Sequence, residues 1–158
     1  PLVWGGLRAA GVGSIQFTPA YARGVVARLN GAEAGARAAF GTARPLQEEI
    51  IRADPNDGSK LCVLGLIDAS LGRKEEALAE ARQAVKLLPV TQNALDGAEV
   101  LYFYAVICAW NGERSLSIEQ LESLAKIPAG ISYGEIRLDP FWDPLRGEPR
   151  FAQIVPSV

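Results

Sequence analysis

Three glycines constrain this 158-residue chain more than any other feature. Gly31, Gly72 and Gly112 recur at intervals of 41 and 40 positions, and the residues around them recur in register. Gly24, Gly65 and Ala105 lie seven positions before, and Ala36, Ala77 and Ser117 lie five after. Four further on come Phe40, Ala81 and Leu121, and three beyond those Ala43, Ala84 and Leu124. Two antiparallel helices joined by a tight turn need small side chains where their backbones cross, and a bulkier one to fill the groove to the next pair. The pattern therefore predicts three helical hairpins, each buried by stacking on its neighbours.

Local signals place the helices. Thr18-Pro19 is a capping hydroxyl followed by a first-turn proline, and Asn30-Gly31 is a C-cap, so the first helix runs to about Leu29. A second begins near Ala32, carries Ala36, Ala39, Phe40 and Ala43 on one side, and continues to Ala53, with Pro45 expected to kink or split it. Asp54-Pro55-Asn56-Asp57-Gly58 is a turn. Helices Ser59–Leu71 and Lys74–Leu88 form the clearest pair, with Glu75 and Glu76 in the first turn of the latter and Pro89 ending it. Asp96 is expected to cap the third pair, Gly97–Trp110 and Ser115–Lys126; the first of these is apolar almost all round and so buried on most sides. Beyond Pro128, Asp139-Pro140, Asp143-Pro144 and Glu148-Pro149 predict three short helical starts, then a final turn at 151–155. Residues 1–17 read as a loose lead-in or the remnant of a preceding helix, because Gly5, Gly6, Gly11 and Gly13 weaken any helix there.

The second unit, Gly58 to about Thr91, resembles the tetratricopeptide repeat (TPR), with Leu64-Gly65, Leu71-Gly72, Ala77, Ala81, Ala84 and Pro89 in the family's positions. Units one (about 18–57) and three (97–128) match less fully. The first has a longer second helix, the third has Leu124 where alanine is usual, and the 40-residue spacing exceeds the family's usual period. The closing run Leu138 to Phe151 is similar to the end of TPR regions in bacterial signalling and regulatory proteins. The resemblance implies an all-α fold, an α-α superhelix of about three hairpins over 18–128 with a capping segment over 129–158. It also implies a non-catalytic scaffold for protein-protein interaction.

In such a superhelix the first helix of each hairpin lines the concave face. Helical phase then puts Tyr21, Val25 and Arg28, Cys62, Leu66 and Ala69, and Tyr102, Val106 and Ala109 on it. Relatives that clamp the carboxylate tails of chaperones use lysine, arginine and asparagine there; tyrosine, valine, cysteine and leucine argue against that role. An apolar groove suits a partner protein or peptide, as an amphipathic helix or an extended segment. The alternative is a groove filled by the chain's own ends, in a regulatory or oligomerisation module acting in cis on a neighbouring domain.

Composition narrows the chemistry. The chain has no histidine, which removes Ser-His-Asp and Cys-His catalysis and imidazole metal sites. Carboxylate, lysine or tyrosine chemistry remains, but Glu48, Glu49, Glu80, Glu119 and Glu122 are expected on exposed faces, and Gly11-Val12-Gly13 lacks the strand and lysine of a phosphate loop. Cys62 and Cys108 sit in apolar helical patterns and read as buried thiols rather than a disulfide or a metal site. No cofactor, metal or catalytic residue is predicted. A net charge of −2 with both signs interspersed argues against nucleic acid. No apolar run is long enough to span a membrane, and Pro1-Leu2-Val3-Trp4 does not look like a signal peptide; the chain reads as a fragment of something longer, expected in the cytoplasm.

Overall fold

The computed structural model describes residues 15–154, apart from Ala129. Among them are eight α-helices and one 3₁₀ helix, and no strand. The expected lead-in over 1–17 falls outside this range except for its last three residues, and Val155 of the expected final turn lies outside it as well.

Helices α1 (Pro19–Leu29) and α2 (Glu33–Ala53) form a first antiparallel pair, α3 (Gly58–Ser70) and α4 (Lys74–Leu87) a second, and α5 (Ala94–Trp110) and α6 (Arg114–Leu124) a third. Each pair stacks on the one before: α3 packs on α2, and α5 packs on both α3 and α4. The three turn glycines have φ of 71°, 78° and 77°, the left-handed conformation that an L side chain resists.

The small residues sit where helices cross. A Cβ on Gly24 would lie 2.8 Å from the Phe40 ring, and one on Gly65 would lie 3.0 Å from Ile107 Cδ1 and 3.2 Å from the Ala77 carbonyl oxygen. Ala77, Ala81 and Ala84 are fully buried. In the third pair Ser117 donates its hydroxyl to the Ala105 carbonyl at 2.7 Å, so a polar residue tolerates that buried crossing by satisfying its own hydroxyl.

Three local expectations are corrected. Pro45 does not split α2, because Gly41 and Pro45 both face solvent and the carbonyl that loses its donor is open to water. The third pair begins one turn early. Asn93, not Asp96, is its cap: the Asn93 side-chain oxygen accepts from the backbone N–H of Leu95 and Asp96, and its amide donates to the Asp96 carboxylate at 2.6 Å. The closing segment opens with a helix not among the three expected starts, α7 (Tyr133–Leu138), started by a Ser132–Glu135 capping box. Asp139 then caps a single 3₁₀ helix over Pro140–Leu145. Asp143 lies inside that element, paired with Arg146 at 2.6 Å, and starts no helix of its own. Helix α8 (Pro149–Ile154) closes the chain.

The closing segment covers the last pair. The 3₁₀ helix packs on α5 and α6, and α8 packs on α6. Phe141, Trp142, Leu145, Phe151 and Ile154 are all buried, so they remove from water the apolar face that a terminal hairpin leaves open. Arg150 reinforces the contact with a two-oxygen grip on Glu122 at 2.9 and 3.0 Å.

Candidate functional site

The nine residues assigned to the concave face come together, but as interior rather than as an open wall. Tyr21, Val25, Cys62, Leu66, Ala69, Tyr102, Val106 and Ala109 are buried, and Arg28 is partly buried. They belong to one buried core in which α3 packs on α5, and the first and third pairs touch through Arg28 and through Phe17, just before α1.

Aromatic contacts make that closure. Phe17, just before α1, stacks on Tyr21 with ring centroids 4.4 Å apart, and meets Phe103 of α5 edge-on at 5.6 Å. At the other end of α1 the Arg28 guanidinium lies 4.3 Å from the centroid of the Trp110 ring, a cation–π contact between the first and third pairs. Trp110 in turn meets Phe141 of the closing segment edge-on. Tyr102 is pinned from the same side: Trp142 lies against its ring at 5.2 Å, and its hydroxyl donates to the Asp139 carboxylate at 2.7 Å.

Burial fixes the protonation of this interior. Desolvation, then the nearby Cys62, pushes the Tyr21 hydroxyl well above its ordinary pKa. Desolvation also raises the Cys62 thiol, which points at the Val100 carbonyl at 3.9 Å, and pushes Cys108 up to about 12. Both cysteines are free and buried, and both stay protonated thiols near neutral pH. Burial lowers the Arg28 pKa, against the opposing pull of Tyr21 and Glu33. The inner face therefore offers aromatic and aliphatic surface and one stacked cation.

A second cluster, on the opposite side of α3, was not singled out in the sequence. Asp68 is fully buried and accepts from Arg44 Nε at 2.6 Å and Nη2 at 3.1 Å, with Arg73 Nε at 3.4 Å. Arg44 also pairs with Glu48, and its hydrogen bond to Asp68 is the main reason its proton is held more tightly than usual. Glu80, expected on an exposed face, is partly buried beside this cluster with one carboxylate oxygen, Oε2, buried and without a partner. Desolvation and the Asp68 charge push it up to about 8, against Arg44 and Arg73. The signal in the sequence was an aspartate in the middle of an otherwise apolar helix. Its cation partner lies 24 residues away, at no spacing that helical periodicity reports.

Among the described residues no group of three or more His, Cys, Asp or Glu side chains could hold a metal ion, and no helix is long and apolar enough to cross a membrane. No family model matches the chain, and neither a curated protein nor a solved structure matches it.

Proposed function

We propose that this chain is a TPR-like α-α superhelix acting as a non-catalytic protein-interaction module within a larger signalling protein, with its inner face occupied by its own ends. The partner is a protein or peptide, in cis or as a second copy, and not nucleic acid. One observation carries the reading: Phe17 bridges Tyr21 of the first pair and Phe103 of the third, while Trp142 and Asp139 hold Tyr102 from the other terminus. Both ends of the described chain thus meet the face that the repeat pattern assigns to partners. The register of small residues at each crossing supports the TPR-like stacking, and the shared burial of α1, α3 and α5 supports a body that is rigid before any partner arrives.

Denaturant unfolding of Phe17→Ala tests the self-occupied face. Loss of a bridging aromatic that is largely out of water should cost about 2 kcal/mol. A loss under ~0.5 kcal/mol, the size of an ordinary surface change, would show that nothing is being filled. Solution mass across a roughly hundredfold concentration range separates the two modes of action: a concentration-dependent dimer indicates assembly, and a constant monomer indicates action on a neighbouring domain or another protein.

A further inference from the structure

We infer that Ile15-Gln16-Phe17 is a built-in stand-in ligand: the face between α1 and α5 is a peptide site for an extended apolar–polar–aromatic segment, held closed until a partner peptide of that pattern displaces the chain's own. This rests on the self-occupied inner face proposed above and gives that face its ligand chemistry and its regulation.

Four observations carry it. First, residues 15–18 are not helical, and side chains alternate over the first three: Ile15 is fully buried, Gln16 is exposed, and Phe17 is again turned inward. That is the period-two presentation by which an extended peptide reads a surface, with alternate side chains in pockets. Second, Phe17 reaches beyond its own hairpin. Phe17 meets Phe103 of α5, so the segment crosses from the first pair to the third as a ligand laid over a superhelix would.

Third, the segment is separable from the helix it precedes. Helix α1 is capped by Thr18 itself, whose hydroxyl accepts from the Tyr21 N–H at 3.2 Å and whose carbonyl accepts from the Ala22 N–H at 3.1 Å. No orphan donor of α1 depends on residues 15–17, so their departure leaves the helix start intact. Fourth, among the described residues no hydrogen bond ties the backbone of Ile15, Gln16 or Phe17 to the helices. Among the described residues apolar side-chain contact holds the segment, and such contact exchanges for an equivalent side chain from another chain without stranding a buried polar group.

An internal segment competes at high effective concentration, so the closed chain weakens the apparent affinity for an outside peptide by the fraction of time its site is open. The test is therefore an affinity comparison on the full chain. The double variant Ile15→Ser/Phe17→Ser, and Phe17→Ser alone as the milder form, are titrated with a blocked Ser-Ile-Gln-Phe-Thr peptide and followed by NMR. A Ser-Ser-Gln-Ser-Thr peptide serves as control. The expected result is that the double variant binds the first peptide at least ~10-fold tighter than the unaltered chain does, with Phe17→Ser between them and no response to the control.

Equal binding by variant and unaltered chain, or equal response to both peptides, would overturn the inference. So would loss of the cooperative helical fold in both variants, because a segment that the fold cannot do without is not exchangeable. The two readings fail differently. If the face is not self-occupied, Phe17→Ala leaves stability unchanged; if it is occupied but not exchangeable, stability falls and no peptide binds.

Discussion

Helix α3 buries both of its sides, and it does so by opposite means. On one side, the inner, it packs on α5 and buries Cys62, Leu66 and Ala69, where stabilisation follows the apolar area removed from water and no single partner is indispensable. Outward it presents Asp68, fully buried, whose desolvation is offset only by two arginines at defined distances. The difference is one of graded against conditional stability. Trimming the inner side costs energy in proportion to lost volume. On the outer side the cost depends on whether the remaining partner is left alone.

The largest effect expected from breaking this contrast is at Asp68. Asp68→Ala removes the carboxylate that Arg44 grips with two nitrogens and leaves that guanidinium mostly buried, with Glu48 as its remaining partner. The expected loss is about 3 kcal/mol by denaturant unfolding, within the range for stranding one member of a buried pair. Arg44→Ala on top of it should add much less than Arg44→Ala does alone, since the two share one interaction. Additive losses would show that the outer side behaves like the inner one. A smaller effect is expected within the inner core. Tyr102→Phe keeps the ring against Trp142 and removes only the hydroxyl donated to Asp139, so it should cost about 1.5 kcal/mol, as for a hydrogen bond to a charged group. Amide exchange should rise in the 3₁₀ helix Pro140–Leu145 and not in α4, because the bond ties the closing segment to α5.

The same contrast explains what the sequence made legible. Crossing points are short-range events: a small residue at fixed distance from a turn glycine needs no knowledge of the rest of the chain, and Gly65, Ala77 and Ala84 are accordingly buried where their spacing put them. Helical phase also assigns Tyr21, Cys62, Leu66 and Tyr102 to one side of their helices, and all four are buried. Their closure into an interior was not visible, because it depends on how sharply successive pairs turn, and that brings Arg28 over Trp110 from 82 residues away. The Asp68 cluster is hidden for a related reason: Arg44, Asp68 and Glu80 belong to three helices, and although Asp68 stands out in an apolar helix, Arg44 and Glu80 each look like ordinary surface charges. At the closing segment the failure was different in kind. Proline marks helix starts at Asp139 and Glu148, whereas the Ser132–Glu135 box carries no proline and is legible only as a capping pair three residues apart.

The smallest predicted effect sharpens the comparison through pH. Glu80 faces Asp68 from α3, Arg44 from α2, Arg73 from the turn and Glu76 from its own helix, and its carboxyl titrates at about 8 against roughly 4.5 when unfolded. The native state therefore holds a proton that the unfolded chain has released anywhere between those values. Stability must then fall as pH rises from about 4.5 to about 8 and change no further on this account above that. Glu80→Gln keeps the shape and the neutral charge state, so it should match the unaltered chain near pH 4.5. It should exceed it by about 1 kcal/mol at pH 8, a figure reduced from the full shift because the group is partly open to solvent. Unfolding curves at pH 5, 7 and 8.5 would check this. A difference independent of pH would place the Glu80 proton elsewhere. A difference that grows with pH would show that α4 brings a carboxyl kept neutral by burial against the outer side of α3.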